Sequence, residues 1–130
     1  MNKNELLTIV AQGFYGNKTV TEISVDSVDR FILGYQDASI PVSEPVNRSF
    51  IHIPDITSLV IVYNKYQEEE QLKKKEKWLD EGYEMKPLVN IEEMNISIYS
   101  RCIVCRIDAN GNFESLRNED YQKFMKYLAD

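Results

Sequence analysis

Residues 58–63 read SLVIVY, and they contain the longest nearly apolar run in this chain of 130 residues. The apolar side chains follow one another without the polar alternation of a half-exposed strand. Such a run is typical of a strand covered on both faces, and it is far too short to span a membrane as a helix. We therefore predict that residues 58–63 form an interior strand of a sheet.

Three further segments have the composition of strands. Residues 18–25 are rich in β-branched side chains, and residues 48–53 alternate in polarity before a Pro-Asp turn. Residues 85–91 contain a proline and fit a short segment at a sheet edge. Together with residues 58–63 they predict most of one sheet.

A hairpin is predicted after the long β-rich run of residues 96–107. The dipeptide Asn110-Gly111 follows this run, and residues 112–116 can return as its partner. Asn-Gly between alternating apolar segments favours a two-residue turn of type I′. We expect this hairpin to lie near the centre of the sheet.

Two helices are predicted from their caps and their apolar spacing. Asp26 or Ser27 can cap one helix, whose apolar positions are Val28, Phe31, Ile32 and Tyr35. Asn118 can cap the other, with acidic residues in its first turn and an apolar face of Tyr121, Phe124, Met125 and Leu128.

Residues 66–81 have the most helix-prone composition in the chain. Glu69 precedes Lys73 by four residues, and Gly82 is placed to end the helix. The apolar stripe is limited to Leu72, Trp78 and Leu79. We therefore predict a mostly solvated helix that is anchored near its carboxyl end.

Two segments give weaker signals. Residues 4–12 allow a helix with Asn4 as cap and Gly13 as stop, which we favour, although the same run fits a strand. Residues 36–47 contain two prolines and two serines, and they predict a surface loop.

These elements predict an α+β fold. We expect a mixed or mostly antiparallel sheet of about five strands, covered by three to four helices, in a single compact domain over residues 1–130. No internal repeat and no linker composition interrupts the chain.

Composition narrows the functional classes. The net charge is −6, which argues against a general affinity for nucleic-acid phosphates or anionic membrane surfaces. The amino terminus lacks the pattern of a secretory signal. We therefore expect a cytoplasmic protein that binds neither nucleic acid nor membrane directly.

Cys102 and Cys105 have the spacing of a redox or metal pair, but their context argues against both. In a strand, positions i and i+3 point to opposite faces, so the thiols do not converge. A zinc site needs two further Cys or His ligands, and His52 is the one histidine of the chain. We predict structural roles for both cysteines, with no metal and no cofactor.

A calcium loop is partly matched after the long strand, by Asp108, Asn110, Asn112, Glu114 and Glu119. The sixth position of such a loop requires glycine, and this chain has Phe113 there. The hairpin turn accounts for the same residues.

His52 is the basis of the alternative function. As the one imidazole, it would serve any histidine-dependent mechanism, with Asp55 close in sequence. This alternative is a small enzyme or ligand-binding domain with a site around His52 and Asp55. No nucleophile motif accompanies the pair, so we predict no catalytic residues.

The main hypothesis is a non-enzymatic binding or regulatory protein that recognises another protein. The charged helix and its flanking aromatic residues favour this function, because aromatic side chains are enriched in interface cores. The candidate interaction surface consists of Tyr66, Glu69, Glu70, Lys73, Lys74, Trp78 and Tyr83.

Two narrower versions of this hypothesis remain open. In size and acidity the chain is similar to accessory or inhibitor proteins of phages and mobile elements, although no specific motif carries that similarity. An acidic inhibitor that mimics nucleic acid would need a continuous acidic face. The sequence leaves the partner and the oligomeric state undetermined.

Overall fold

The computed structural model of the protein describes residues 5–12, 17–33, 47–53 and 56–128. The elements in chain order are β1 (Glu5–Gln12), β2 (Asn17–Ser24), a 3₁₀ turn (Val25–Ser27), α1 (Val28–Leu33), β3 (Arg48–Ile53), β4 (Ile56–Asn64), α2 (Lys65–Asp80), β5 (Val89–Ile91), a second 3₁₀ turn (Glu92–Met94), β6 (Ile96–Ile98), β7 (Cys102–Ile107), β8 (Phe113–Glu114) and α3 (Asn118–Leu128).

The main sheet has the strand order β2-β1-β7-β4-β3, and β8 pairs with β7 beside β1. Strands β5 and β6 form a separate small hairpin. Every pair between the described strands is antiparallel. The predicted α+β fold with a mostly antiparallel sheet of about five strands is confirmed, and three α-helices lie within the described residues.

Strand β4 lies inside the sheet, between β3 and β7, as its apolar run predicts. Its residues Leu59, Val60, Ile61 and Val62 have no exposed surface. Because successive side chains of a strand point to opposite faces, β4 contributes to both cores of the protein. The central strand of the sheet is β7, the first strand of the predicted hairpin.

Each face of the sheet carries its own core. On one face, Val10, Val60 and Ile103 pack with Val28 and Ile32 of α1. On the other face, the strands pack with residues of β5, β6 and α3, and this core includes Ile9, Ile61, Val104, Ile91, Ile98 and Phe124. Burial of apolar surface on both faces supplies the main favourable term for this fold.

The predicted helix at residues 4–12 was wrong, because Glu5–Gln12 forms strand β1. This strand pairs with β2 on one side and with β7 on the other. Leu6 and Val10 face one core while Ile9 faces the other, so the run of apolar residues is used on both faces. Pairing on both sides outweighs a local helix signal, and the cap and stop of that helix lie outside the described residues.

The turn between β7 and β8 also differs from the predicted type I′. Gly111 has a φ of 85°, whereas Asn110 is not among the residues with positive φ. The Gly111 N–H donates to the Asp108 carbonyl at 3.0 Å, as in a type I turn followed by a left-handed glycine. The Asp108 carboxylate accepts from the N–H groups of Asn110 and Asn112, at 2.8 and 2.9 Å, which stabilises this turn. The residues that partly match a calcium loop therefore form the turn of a hairpin.

Helix α1 confirms the predicted helix after Ser27, with Val28 and Ile32 buried. Tyr35 and the predicted loop at residues 36–47 lie outside the described residues, except for Asn47, which precedes β3.

Helix α3 begins at Asn118, and Phe124 enters the core as predicted. The prediction that Tyr121 belongs to the buried apolar face of this helix was wrong, because its side chain is exposed. Asp120 is buried instead, and its carboxylate accepts from Arg106 Nη1 of β7 at 2.7 Å and from the Arg117 N–H at 2.9 Å. The helix is therefore oriented by an ion pair, which the apolar pattern does not reveal.

Candidate interaction surface

Helix α2 follows strand β4 without an intervening loop, so the sheet sets its starting point. Asn64, the last residue of β4, is buried, and its side-chain oxygen accepts from the Tyr66 N–H at 3.0 Å. The Lys65 N–H donates to the Asn47 carbonyl, beside β3. These bonds satisfy two of the free donors that every helix has at its amino end.

A carboxylate anchors the first turns of α2. Glu68 is the one buried residue of this helix, all of which the structure describes. Its carboxylate accepts from the backbone N–H groups of Tyr99 at 3.0 Å and Ser100 at 2.8 Å, in the turn between β6 and β7. In the same turn of α2, Gln67 Nε2 donates to the Leu33 carbonyl at the end of α1 at 3.2 Å.

The predicted anchor near the carboxyl end of α2 was therefore wrong. The buried contact lies near the amino end, and Leu79 near the carboxyl end is 66% exposed. The residues that turn toward the domain are largely polar, with half-buried Gln67, Gln71, Lys75 and Trp78 beside Glu68. A buried carboxylate is tolerated here because backbone donors replace its water.

Apolar side chains of α2 remain on the surface. Leu72 is 39% exposed, and Tyr83, just beyond the helix, is 64% exposed. Leu72 and Leu79 are seven residues apart and share one face of the helix. From the sequence we predicted that both leucines belong to the apolar stripe facing the domain, because α2 has few other apolar side chains.

The end of α2 is a defined structure. Gly82 has a φ of 89°, and its N–H donates to the Leu79 carbonyl at 3.0 Å. The Tyr83 N–H donates to the Trp78 carbonyl at 2.8 Å. These two bonds form a Schellman motif, which confirms the predicted stop at Gly82 and holds the Tyr83 backbone beside the last turn.

The structure brings four of the predicted surface residues onto one face. Tyr66, Glu69, Glu70 and Lys73 follow the spacing i, i+3, i+4 and i+7, and all four are exposed. Lys73 Nζ lies 3.5 Å from Glu70 Oε1.

The other predicted residues border this face. Lys74 is exposed and its Nζ lies 5.3 Å from the centre of the half-buried Trp78 ring, while Tyr83 lies beyond the helix end. We call the seven predicted residues together with Leu72 and Leu79 the α2 surface.

The acids and the bases of the α2 surface lie in adjacent turns of the helix. Glu69 and Glu70 lie one turn from Lys73 and Lys74, so their charges are largely balanced locally. This helix therefore does not provide the continuous acidic face that a nucleic-acid mimic requires.

One of the two residues of the alternative site, His52, lies within the described structure. His52 is an exposed residue of β3, which is the outermost of the described strands on its side of the main sheet, and Asp55 lies outside the described residues. At the start of β3, Arg48 Nε lies 2.6 Å from Asp29 Oδ1 of α1, so this guanidinium joins two elements of the fold.

The two thiols point to opposite faces of β7, as predicted. Cys102 belongs to the core beneath α3, and Cys105 belongs to the core beneath α1. Burial raises the pKa of both thiols from 9.0 to about 12, so the folded protein disfavours the reactive thiolate at alkaline pH as well as at neutral pH. Within the described ranges, no group of three His, Cys, Asp or Glu side chains is placed to hold a metal ion.

The sequence matches no protein-family model, and neither a curated protein nor a solved structure is significantly similar to the chain. None of the described helices has the length and apolar character needed to cross a bilayer.

Proposed function

We propose that this protein is a non-enzymatic binding protein that recognises another protein through the α2 surface. The observation that carries the proposal is the exposure of Leu79 and Tyr83, at 66% and 64%, on either side of the hydrogen-bonded end of α2. We further propose a cytoplasmic location, where such a surface would meet its partner.

Burial of these side chains supplies a driving force for association. Removing apolar surface from water contributes roughly 25 cal/mol per Å². Tyrosine and tryptophan dominate many interfaces, because they bury a large area at little cost in side-chain entropy. Tyr66 and Tyr83 supply two exposed rings on the α2 surface, and the half-buried Trp78 lies at its border.

The anchoring of α2 favours binding by a preformed surface. Asn64 and Glu68 fix the amino end, and the Schellman motif fixes the carboxyl end. A surface that is ordered before binding loses less conformational entropy when the partner arrives. The exposed charges around Glu70 and Lys73 would orient the partner through electrostatic complementarity.

An accessory or inhibitor protein of a phage or mobile element is the narrower version of this proposal. Small size and a net charge of −6 favour it. The mixed charges of α2 support recognition of a protein surface in preference to mimicry of nucleic acid.

The test compares partner capture by matched variants. Immobilised wild-type protein and the double variant Leu79→Asp/Tyr83→Ala are incubated with extract of the native host, and retained proteins are quantified. We expect at least one protein to be retained by the wild type and lost from the double variant. A second variant, Lys73→Glu/Lys74→Glu, should weaken the same capture.

Tyr121→Ala is the matched control, because Tyr121 is an exposed tyrosine on α3, outside the α2 surface. Its capture should equal that of the wild type. Retention of every wild-type partner by the α2 double variant would remove this surface from consideration.

A further inference from the structure

Asn110 is the one asparagine of the chain that precedes a glycine. An asparagine in this position is prone to deamidation, because glycine has no Cβ to hinder attack by its own backbone nitrogen. Asn110 and Gly111 are both exposed. Within the described part of the chain, no heavy atom beyond the neighbouring residues lies within 4 Å of a Cβ placed on Gly111. Solvent therefore reaches the peptide bond between these two residues.

Deamidation at this position needs only the chain itself, hydroxide and water. The Gly111 nitrogen loses its proton to hydroxide and attacks Cγ of Asn110. A bond forms between that nitrogen and Cγ, the bond from Cγ to Nδ2 breaks, and the amide nitrogen leaves as ammonia. Water then opens the resulting cyclic imide at either carbonyl, which gives aspartate or isoaspartate. No atom is oxidised or reduced.

The turn holds the attacking nitrogen away from this carbon. The Gly111 N–H donates to the Asp108 carbonyl at 3.0 Å, so the turn uses the proton that the reaction must remove. Asn110 is the second central residue of this type I turn, a position at which ψ is about 0°. With that ψ, the Gly111 nitrogen eclipses the backbone nitrogen of Asn110 and lies away from the Asn110 side chain. The attack therefore requires rotation about the Cα–C bond of Asn110, which breaks the hydrogen bond to Asp108.

The Asp108 side chain stabilises the closed turn. Its carboxylate accepts from the N–H groups of Asn110 at 2.8 Å and Asn112 at 2.9 Å, and Asn112 Nδ2 donates to it at 3.3 Å. These bonds lower the pKa of the Asp108 carboxyl, so the group is ionised at neutral pH. Hydrogen bonds to an ionised acceptor are stronger than those between neutral groups. Loss of this carboxylate would therefore let the turn open more often.

We infer that Asn110 is a deamidation site and that the Asp108 carboxylate slows its reaction in the folded protein. The reaction proceeds from the open turn, so its rate follows the fraction of molecules in which the turn is open. The product has one more negative charge than the unmodified chain, whose net charge is −6. The turn contains no residue of α2, so this inference is independent of the proposed function.

Peptide mapping by mass spectrometry measures the rate at which folded protein loses the Asn110 amide in mildly alkaline buffer. We expect Asp108→Ala to raise this rate by about fivefold or more, because two backbone N–H groups lose a charged acceptor. Asp108→Asn keeps a side-chain acceptor without the charge, and its rate should lie between those of the wild type and Asp108→Ala. Circular dichroism of each variant confirms that it is folded.

Urea separates the effect of the turn from the chemistry of the dipeptide. In urea the wild type and Asp108→Ala should react at the same rate, and faster than the folded wild type. Asp80→Ala is the matched control, because it removes an exposed carboxylate outside the turn and should leave the rate in the folded protein unchanged. Asn110→Gln should remove the product on the same timescale, because the longer side chain of glutamine closes a ring more slowly.

Three outcomes would overturn the inference. One is a chain that keeps the Asn110 amide even in urea, so that no deamidation site exists. Another is a wild type that reacts as fast when folded as it does in urea, so that the turn gives no protection. The last is a folded Asp108→Ala variant that reacts no faster than the folded wild type, so that the protection does not depend on this carboxylate.

Discussion

The carboxylate of Glu68 accepts the backbone N–H of Ser100 at 2.8 Å, which ties helix α2 to the turn between β6 and β7. Lys75 Nζ of the same helix lies 4.7 Å from the centre of the Tyr99 ring in that turn. A helix with few buried apolar side chains is thus held by polar contacts. The exposed side of α2 is left available for other interactions.

We expect Glu68→Ala to loosen α2 without unfolding the sheet. The buried N–H of Ser100 and the partly buried N–H of Tyr99 would lose their acceptor, which costs about 1–3 kcal/mol. Urea denaturation should show this loss of stability, and hydrogen exchange of α2 amides should accelerate. Glu69→Ala, at the exposed neighbouring position, serves as the control. Equal effects of the two substitutions would contradict the anchoring role.

Replacing only one member of the ion pair between Arg106 and Asp120 should lower the stability of the protein strongly. Asp120 is 3% exposed and its partner 13%, so removal of one charge leaves the other buried. We expect Asp120→Ala to destabilise the protein by roughly 3–5 kcal/mol. A double-mutant cycle with Arg106→Met checks the coupling: the two losses should be far from additive, and additive losses would refute the pair.

Gly82→Ala should destabilise the end of α2 by about 1 kcal/mol. The cost is conformational, because φ at this position is +89° and no heavy atom lies within 4 Å of an added Cβ. Thermal unfolding measures the change. Glu81→Ala, at the preceding position with φ of −87°, should be nearly neutral. If Gly82→Ala also leaves the stability unchanged, the positive φ of Gly82 is not needed for the Schellman motif to stabilise the end of α2.

The two buried thiols should make stability fall at alkaline pH. Burial raises the pKa of Cys102 from 9.0 to about 12. Between pH 9.0 and about 12 the unfolded chain ionises this thiol while the folded chain does not. The contribution of the buried thiol to the free energy of unfolding is therefore fully present below pH 9.0 and is lost between pH 9.0 and about 12.

Cys102→Ala should flatten the decline in stability that urea denaturation measures over that range. In the native protein, neither thiol should react with a thiol-specific reagent at pH 8 on the timescale on which both react in urea. Rapid native labelling would contradict their burial.

Protonation of Asp108 should make stability fall at acidic pH, in contrast to the two thiols. The N–H groups of Asn112 and Asn110 lower the pKa of its carboxyl below 3.8. The contribution of this carboxylate to the free energy of unfolding is therefore present above about pH 4. It is lost as the pH falls through the lowered pKa of the folded state. We expect Asp108→Asn to reduce the loss of stability between pH 5 and pH 2, measured by denaturant unfolding. An unchanged acid profile would show that the turn does not depend on this charge.

Part of the α2 surface follows from the sequence. The spacing of Tyr66, Glu69, Glu70 and Lys73 places them on one helical face, as the structure confirms. Local chemistry also defines where the helix stops, because Gly82 adopts a positive φ at little cost. The exposure of Leu72 and Leu79 was not predictable, since a helix pattern shows which residues share a face but not which face meets the domain.

Local patterns in the sequence by themselves determined the α+β class, the interior strand over residues 58–63 and the bounds of α2. These features depend on side-chain periodicity, propensity and capping within a few residues of the chain. Only the tertiary structure decided that residues 5–12 form a strand, that Glu68 anchors α2 and that Asp120 is buried against Arg106. Each of these depends on a partner distant in sequence, whose hydrogen bonds and burial outweigh a local preference of a few tenths of a kcal/mol per residue.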